Sequence, residues 1–329
     1  MNTIQETFKL FNKFNVLIIG DVMIDAYMWG NVNRISPEAP VPVVAINKKE
    51  NRLGGAANVA LNIQAMGANP ILCSVIGDDD GAKTFFELLK EQKLSSKGIL
   101  KSKKRITTIK TRVISNNHQM LRVDEEIENT LDKKEIQSLV SEIKKIIVSE
   151  KINVIIFEDY DKGCINEELI KAIVTLANQK NIPTIVDPKK KNFMSYKGVT
   201  LFKPNLKELK EGLKIEFNHT NVKELEKIVE GFIKMQKINT ALITLSEKGV
   251  YTHSSKTKIL VPAHIRNIAD VSGAGDTVVS VAALCMAANL SPVITATLAN
   301  LAGGLVCEKV GVVPIDKKQL LQEALKLKL

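Results

Sequence analysis

The chain has 329 residues, of which 45% are hydrophobic and 25% charged, and its formal net charge is +10 at pH 7. These proportions exclude disordered, collagen-like and disulfide-scaffold proteins and predict a globule with a sizeable core. Only six of the 46 basic residues are arginine and aromatic residues make up 5%, so the charge indicates a lysine-rich solvated surface and not a nucleic-acid groove. No apolar run is long enough to span a bilayer and residues 1–14 lack a signal-type apolar core, so we expect no membrane contact and a cytoplasmic location.

Four cysteines lie far apart in the sequence, without a CxxC pair. In a chain without an export signal this spacing predicts reduced thiols that act as small apolar side chains. The histidines form no HxxxH or HExxH pattern, so we do not expect a zinc site.

Short apolar runs alternate along the chain with longer segments of helical periodicity. The runs predict buried strands at residues 16–20, 71–77, 154–157, 184–186, 200–202 and 241–245. The periodic segments predict helices at residues 56–66, 82–93, 133–148, 167–179, 222–236, 277–288 and 292–310. Because strand and helix alternate this often and no linker divides the chain, we expect one doubly wound α/β domain over residues 1–329, with a mostly parallel sheet and helices on both faces.

Two stretches interrupt this alternation, at residues 39–47 and 107–124. Both alternate apolar and polar residues, and Asn116-Asn117 supplies a turn within the second. The pattern predicts a half-buried antiparallel sheet, of which Pro40 and Pro42 suit an edge strand. We expect a small β-lid formed by residues of about 27–52 and 104–125, whose exposed apolar face is a candidate homodimer contact.

The strongest chemical signal is the segment DVSGAGDT at residues 270–277, which leads directly into an apolar helix. Gly273, Ala274 and Gly275 allow backbone N–H groups to converge with the helix N-terminus, which makes an anion hole suited to a transferring phosphoryl group. Asp276 at the helix entry is then a candidate general base that accepts the proton of an acceptor hydroxyl. The alternative interpretation is a glycine turn with an aspartate cap.

A second glycine-rich helix start is LGGAANVA at residues 53–60. Gly54 and Gly55 permit a ligand to approach the backbone, and Asn58 in the first turn can hydrogen-bond a hydroxyl group. The alternative is a tight strand–helix turn in which Asn58 is a local cap.

Polar residues follow other predicted strands. Asp21 and Asp25 come directly after the first strand, at the edge where open α/β sheets bind ligands, and are candidate partners for polyol hydroxyls. Asn205 and Glu208, three residues apart at a helix start, could hold a hydrated magnesium ion near nucleotide phosphates. An isolated NxxE is more often a helix-capping arrangement.

Other phosphate-binding motifs are absent from the sequence. Val278 stands where the third glycine of GxGxxG belongs, and GxxxxGK[ST] and the HRD and DFG elements of protein kinases are absent. A nicotinamide dehydrogenase and a P-loop enzyme are therefore disfavoured.

The GGxxN helix, the NxxE segment and the late GAGD helix occur in that order, and together they resemble the ribokinase or phosphofructokinase-B family of sugar kinases over residues 14 to about 313. The resemblance implies a ribokinase-like α/β fold with a β-lid, use of ATP and Mg²⁺, and in-line phosphoryl transfer to a sugar hydroxyl. It also implies a candidate monovalent cation, such as K⁺, near the GAGD loop.

The resemblance also implies roles for individual residues. Asp276 looks like the catalytic base, and Gly273, Ala274 and Gly275 like the anion hole. The sugar-binding positions are matched by Asp25, Gly54, Gly55 and Asn58, and the magnesium–phosphate positions by Asn205 and Glu208. The nucleotide-binding positions are matched by Thr244, Ser246, Gly249 and Asn300, with Ser246 in place of the first glycine of TxGxxG.

Within the family, four segments resemble the kinases of D-glycero-β-D-manno-heptose 7-phosphate, which phosphorylate the anomeric hydroxyl in ADP-heptose and lipopolysaccharide-core synthesis. These segments lie at residues 20–25, 34–43, 159–163 and 187–189. Met23 replaces the ribokinase-type asparagine, which argues against simple ribose. In many relatives a nucleotidyltransferase domain follows, and we expect none within these 329 residues.

A substrate that already carries a phosphate needs cations at the far end of the sugar pocket, and five of the six arginines fall in the first 125 residues. Arg112, on a predicted lid strand, and Lys189 are the candidates; the alternative for Arg112 is a surface position. The leading hypothesis is thus a heptose 7-phosphate kinase. A kinase for another sugar and a non-catalytic sugar or nucleotide sensor on the same fold remain as alternatives.

Overall fold

A nine-stranded sheet and a separate four-stranded sheet organise the computed structural model, which describes residues 3–116, 118–217, 222–264 and 266–327. The strands are β1 (Asn15–Gly20), β2 (Val22–Ile35), β3 (Pro42–Gly55), β4 (Asn69–Gly77), β5 (Gly98–Ser102), β6 (Ile109–Ser115), β7 (His118–Glu125), β8 (Ile152–Glu158), β9 (Thr184–Asp187), β10 (Leu201–Phe202), β11 (Thr240–Thr244), β12 (Val250–Ser254) and β13 (Lys258–Val261). The helices are α1 (Ile4–Leu10), α2 (Ala56–Ala65), α3 (Asp80–Glu91), α4 (Lys133–Ser149), α5 (Glu167–Gln179), α6 (Leu206–Leu213), α7 (Val222–Gln236), α8 (Ala274–Ala287), α9 (Pro292–Val306) and α10 (Lys317–Lys326).

The large sheet has the strand order β13-β12-β11-β10-β9-β8-β1-β4-β5. The seven strands from β11 to β5 are parallel, whereas β12 and β13 add an antiparallel edge. The chain starts at the central β1, runs outward through β4 and β5, and then returns to build the other half from β8. This is the doubly wound order that the sequence predicts, so the carboxyl ends of β1, β8, β9 and β10 meet at one edge.

Helices bury both faces of this sheet because successive strand residues point to opposite sides. In β1, Val16 and Ile18 belong to one apolar cluster with α2, α8 and α9, whereas Leu17 and Ile19 belong to a second cluster with α4, α5 and α7. All four side chains are fully buried. The ligand-binding edge is therefore held by a rigid core on each side.

The small sheet has the order β3-β2-β6-β7 and forms the lid. Strand β2 pairs antiparallel with β3 and parallel with β6, and β6 pairs antiparallel with β7. The lid strands begin at Val22 and reach Gly55, and so extend past the predicted segment of about residues 27–52 at both ends. Of the predicted turn pair, Asn116 has a positive φ of 50°, and Asn117 lies outside the described residues.

The predicted strands and helices of the large domain are present, with ends shifted by a few residues. The last predicted helix, at 292–310, ends at Val306, and the GAGD helix begins at Ala274 and not at residue 277. The sequence analysis missed α1 and α10 and the strands β5, β12 and β13, and of α6 it predicted only the start, at Asn205. None of the helices within the described ranges is long and apolar enough to cross a membrane. The four cysteines are unpaired and buried.

Candidate active site

Asp276 lies in the first turn of α8 and is buried, with 7% of its surface exposed. The helix is capped by Gly273, whose φ of +78° is in the left-handed region that favours glycine. The Ala274 N–H donates to the Val271 carbonyl at 3.3 Å and the Thr277 N–H donates to the Gly273 carbonyl at 3.0 Å. The N–H groups of Gly275 and Asp276, between them, are those that a helix start leaves without an acceptor inside the helix. The carboxylate therefore lies beside the positive end of α8 and its unsatisfied N–H donors.

Two side chains donate to the two oxygens of this carboxylate. Asn58 Nδ2, from the first turn of α2, lies 2.6 Å from Asp276 Oδ2, and the Tyr160 hydroxyl lies 2.8 Å from Asp276 Oδ1. Burial raises the pKa of Asp276 to about 6, while these two hydrogen bonds oppose the rise. A carboxyl group with that pKa is ionised near neutral pH and is still a competent proton acceptor.

Three buried carboxyl groups meet next to Asp276. Ligand atoms of Glu158, Asp187 and Asp276 lie within 4.8 Å of one another. Both Glu158 oxygens and Asp187 Oδ1 are buried without a hydrogen-bond partner. Burial raises the pKa of Glu158, and the carboxylates of Asp187 and Asp276 raise it further. This donor set has the oxygen chemistry that a hard divalent cation requires.

Lys203 supplies a buried positive charge to this cluster. Its Nζ lies 2.6 Å from Asp187 Oδ2, and a side chain at Gly275 would come within 3.5 Å of the same Nζ. Burial lowers the pKa of Lys203, but Asp187 and Glu208 raise it by more, so the net shift is upward. The ammonium group thus stays charged beside the N-terminus of α8, where an anion would lie.

Asn205 and Glu208 form a capping box at the start of α6. Asn205 Oδ1 accepts from the Glu208 N–H at 2.8 Å, and Glu208 Oε2 accepts from the Asn205 N–H at 2.8 Å. Glu208 Oε1 also forms an ion pair with Lys189, whose Nζ lies 3.9 Å from Asp187 Oδ1. The capping interpretation of NxxE is therefore present in the structure, and the magnesium role of these two residues stays a prediction.

Asp21 organises the loop that follows β8. Its Oδ2 accepts from the backbone N–H groups of Tyr160 at 2.9 Å and Lys162 at 3.2 Å, and its Oδ1 accepts from the Cys164 N–H at 2.9 Å. Burial raises the pKa of Asp21, and these three backbone bonds oppose that rise. This geometry favours a loop-anchoring role, and sugar binding by Asp21 stays a prediction.

Asp25 lies within lid strand β2 and not at the carboxyl end of the first strand, where the sequence analysis placed it. The reason is that β2 begins one residue after β1 ends, since Val22 and the residues after it pair with β3 and β6. Asp25 Oδ1 accepts from Arg112 Nη1 at 2.5 Å, and the Arg112 guanidinium lies 5.4 Å from the centre of the Tyr27 ring. A side chain at Gly54 would come within 2.2 Å of Asp25 Oδ2, so only glycine lets this carboxylate approach the start of α2.

Of the four residues predicted to bind the nucleotide, three lie at the end of β11 or just after it, and the fourth lies on α9. Thr244 ends β11 and bridges to Asn205, and Ser246 begins a short 3₁₀ helix, Ser246–Lys248, that Gly249 caps. Ser246 has a φ of 53°, so it adopts the left-handed conformation that a glycine at this position would favour. Asn300 on α9 donates to the Pro262 carbonyl at 2.8 Å, which ties α9 to the segment after β13.

The structure thus brings Asp276, Asn58 and the GAGD loop together, with Lys189 and Glu208 reaching the same cluster through Asp187. Sequence analysis gave no role to Glu158, Tyr160 or Lys203. A usable signal was present, since Glu158 ends β8 and Lys203 follows β10 at the carboxyl edge of the sheet. That rule did place the segment at residues 203–208 at this edge, but it gave Lys203 no role of its own, and it was not applied to Glu158.

A phosphotransferase is the class of enzyme that this fold and site define, because a buried carboxylate, a helix N-terminus and two lysines converge at one sheet edge. The description "pfkB family carbohydrate kinase" matches residues 13–318. The chain therefore belongs to the pfkB family of carbohydrate kinases. This membership confirms the predictions of an ATP-dependent sugar kinase and of ATP use.

Curated relatives agree with this assignment. The chain is 37% identical over 297 residues to the bifunctional protein HldE of Helicobacter pylori (strain HPAG1), covering 90% of this chain and 63% of that protein. It is 36% identical over 308 residues to the bifunctional protein HldE of Sulfurimonas denitrificans, covering 92% and 63%. The chain thus spans less than two thirds of the length of these relatives.

Solved structures show the same fold. Phosphofructokinase-2 from Escherichia coli in complex with potassium has a TM-score of 0.79 at 17% identity, over 96% of this chain and 99% of that chain. Arabidopsis thaliana ribokinase complexed with ribose and ATP has a TM-score of 0.69 at 15% identity, over 94% and 98%. These likenesses confirm the ribokinase-like α/β architecture.

Proposed function

We propose that this protein transfers the γ-phosphoryl group of ATP to the anomeric hydroxyl of D-glycero-β-D-manno-heptose 7-phosphate, giving the 1,7-bisphosphate for ADP-heptose and lipopolysaccharide-core synthesis. The proposal is supported by the HldE relatives and by the four sequence segments that resemble heptose 7-phosphate kinases. The observation that carries the chemistry is the buried Asp276 carboxylate, which Asn58 and Tyr160 hold at the N-terminus of α8.

In this mechanism Asp276 accepts the proton of the acceptor hydroxyl as the hydroxyl oxygen attacks the γ-phosphorus. The O–P bond forms while the bond to the β-phosphate oxygen breaks, and ADP leaves with the electron pair. Gly273, Ala274 and Gly275 place the backbone donors of the α8 N-terminus against the phosphoryl oxygens. Lys203 and Lys189 compensate the negative charge of the phosphate chain at the same edge.

The carboxylates of this edge suit Mg²⁺. Glu158 and Asp187 carry buried oxygens without hydrogen-bond partners, and three carboxyl groups meet beside Lys203 and Lys189, so a divalent cation would compensate the remaining negative charge. We assign Glu158 and Asp187 as the nearest holders and keep Asn205 and Glu208 as contacts through water or phosphate. When bound, Mg²⁺ would neutralise part of the negative charge of the ATP phosphates.

The sugar is assigned to the space between the lid and α2. Asp25, Gly54, Gly55 and Asn58 would contact its hydroxyls, and Arg112 its terminal phosphate. Lys189 is less suited to that phosphate because its Nζ lies 3.9 Å from Asp187 Oδ1, beside the phosphoryl-transfer cluster and not in the lid. Closure of the lid would exclude water from the reaction.

The nucleotide is assigned to the segment that contains Thr244, Ser246 and Gly249, with Asn300 near the adenine. A monovalent cation near the GAGD loop belongs to the same proposal, supported by the potassium complex of the structural neighbour. The cytoplasm is the proposed location, since ATP and sugar phosphates are found there.

The proposed assembly is a homodimer formed through the lid. Strand β7 is an edge strand of the lid, and it exposes Met120, Leu121 and Val123, which are 44%, 57% and 46% accessible. An apolar edge strand of this kind is normally covered in a stable protein. A second copy of the lid would cover it by pairing strand to strand.

ADP release with ATP and Mg²⁺ across a sugar panel tests the proposal. The panel contains heptose 7-phosphate, sedoheptulose 7-phosphate, fructose 6-phosphate, fructose and ribose. We expect a strong preference for heptose 7-phosphate that Asp276→Asn abolishes. Turnover of another sugar would keep the kinase and reject the heptose assignment, and silence across the panel with ATP still bound would favour a sensor.

A further inference from the structure

Tyr160 is the second donor to the Asp276 carboxylate, and neither the sequence signals nor the family resemblance assigned it a role. It lies in the loop directly after β8, two residues beyond Glu158. Its hydroxyl donates to Asp276 Oδ1 at 2.8 Å. A tyrosine hydroxyl keeps its proton at neutral pH, so the phenol is the donor and the carboxylate the acceptor of this hydrogen bond.

The chain fixes this tyrosine at three points. Its backbone N–H donates to Asp21 Oδ2 at 2.9 Å, and Asp21 also binds the N–H groups of Lys162 and Cys164 in the same loop. The Lys189 ammonium lies 5.4 Å from the centre of its ring. Tyr160 is thus held by Asp21 through its backbone, by Lys189 at its ring and by Asp276 at its hydroxyl, which leaves the phenol little freedom to move away from Asp276.

We propose that Tyr160 is the positioning residue of the base, which it orients together with Asn58. The inference rests on the assignment of Asp276 as the base in the proposed function. Asn58 donates to Oδ2 and Tyr160 to Oδ1, so both oxygens and hence the plane of the carboxylate are fixed. Each carboxylate oxygen has a further lone pair that can accept the proton of the acceptor hydroxyl. Because the Asp276 side chain is already oriented, it does not have to change rotamer before the transfer.

The hydrogen bond between Tyr160 and Asp276 can persist while the proton is transferred. The donors hold the ionised carboxylate without themselves taking part in the transfer, and they remain in hydrogen-bonding reach when one oxygen becomes protonated. The role of Asp21 follows from this chain of contacts, because Asp21 holds the loop and the loop holds the phenol. Asp21 therefore acts on Asp276 indirectly, through the loop, whereas Tyr160 contacts Asp276 directly.

A double-mutant cycle distinguishes positioning from packing. The variants are Tyr160→Phe, Asp276→Asn and the pair, assayed for kcat and for the KM of ATP and of the panel sugar that the wild-type enzyme turns over fastest. A hydrogen bond to a charged group predicts a fall in kcat of about 10-fold or more for Tyr160→Phe, with both KM values within about 3-fold. In the Asp276→Asn background, Tyr160→Phe should cost no further activity, because the carboxylate it orients is gone.

Tyr196→Phe is the matched control. The Tyr196 hydroxyl also donates to a buried carboxylate, Asp159 Oδ2 at 2.7 Å, and Tyr196 is itself fully buried. Its removal should reduce thermal stability and leave kcat within about 3-fold of wild type. Melting curves and ATP binding by calorimetry verify that each variant is folded. If Tyr160→Phe does not fold, Tyr160→His, which retains a ring donor, replaces it and is expected to keep more activity than Tyr160→Ala.

Wild-type kcat in Tyr160→Phe, or an equal loss from Tyr160→Phe in the presence and absence of the Asp276 carboxylate, would overturn the positioning role. Full turnover by Asp276→Asn would instead overturn the base assignment in the proposed function. The two failures are thus separate, since the first leaves Asp276→Asn inactive and the second does not.

Discussion

Asn58 Nδ2 lies 2.6 Å from Asp276 Oδ2, so the first turns of α2 and α8 are joined directly across 218 positions of sequence. The contact continues along the two helices, where the Thr277 hydroxyl donates to Asn62 Oδ1 at 3.1 Å. The two glycine-rich helix starts that sequence analysis treated as separate signals are therefore one site. Asn58 donates to Asp276 through Nδ2, while its buried Oδ1 has no hydrogen-bond partner among the described residues.

Replacement of Asp276 by asparagine should remove proton acceptance while it preserves the shape of the site. We expect kcat to fall by at least ~10²-fold with the KM of the sugar largely retained, since general base catalysis contributes about 10²–10⁴-fold. Asp159→Asn is the matched control, because Asp159 is also buried and bonded to a tyrosine but lies outside the carboxylate cluster. Steady-state ADP release measures both, and undiminished turnover by Asp276→Asn would reject the base.

Activity should depend on pH through the same carboxyl group. The pKa of Asp276 is raised by burial to about 6, and a base must be ionised, so kcat should rise as pH increases through about 6 and level off above 7. The pH profile of kcat between 5 and 8 measures this limb. A profile without an acid limb in that interval contradicts the assignment.

Stability should change with pH in the opposite direction. Because the folded-state pKa of Asp276 lies above its ordinary value of 3.8, its favourable contribution is complete below pH 3.8 and is lost as pH rises through about 6. The wild type should therefore lose stability relative to Asp276→Asn between pH 4 and 7, by at most about 3 kcal/mol at about 1.4 kcal/mol per pKa unit. Paired denaturation curves at the two pH values measure the difference.

Arg112 should determine affinity for a phosphorylated sugar. For Arg112→Ala we expect a rise of about 10-fold or more in the KM of heptose 7-phosphate and little change in the KM of ATP, because a charge-assisted contact is lost. Arg112→Lys keeps the charge that Asp25 needs and loses the guanidinium fork, so an intermediate KM is expected. Arg122→Ala, on the neighbouring strand with a side chain 51% exposed, is the control. An unchanged KM for Arg112→Ala would lead us to abandon the phosphate contact.

Ser246→Gly should stabilise the nucleotide segment. Ser246 has a φ of 53°, a conformation that costs a non-glycine residue roughly 1 kcal/mol. Glycine removes this strain, but it also loses more conformational entropy on folding, so the net gain in stability is smaller. We expect a small rise in melting temperature and a KM for ATP within about 2-fold of wild type. Lys237→Gly, at a φ of 53° in the turn before β11, is the control for the backbone effect alone. A lower melting temperature for Ser246→Gly than for wild type would show that its side chain is needed.

Leu121→Glu should separate the proposed dimer. Leu121 is 57% exposed on the edge strand β7, and a charge there would be buried without a partner in a lid-to-lid contact. Light scattering after size exclusion should give twice the 36.3 kDa chain mass for the wild type and the single mass for the variant. Val148→Glu, at an apolar position 76% exposed on α4, should remain dimeric. A monomeric wild type at micromolar concentration rejects the lid dimer.

Much of the fold was predictable because it depends on local pattern. Apolar runs such as residues 154–157 become buried strands wherever helices cover both faces, and the alternation at residues 107–124 gives a lid strand pair. The missed elements were those without such a pattern. Strand β13 is mostly exposed, and α1 is only seven residues long.

The sequence by itself determined the family, the candidate base and the glycine-rich turns, because each is a short segment whose residue types carry their own backbone and chemical requirements. Only the tertiary structure decided that Asn58 and Tyr160 both bind Asp276, that Asp25 lies in a lid strand, and that Glu158, Asp187 and Lys203 meet in one buried cluster. The physical reason is that parallel strands distant in sequence end at one sheet edge. The burial that raises the pKa of Asp276 exists only after that edge is assembled.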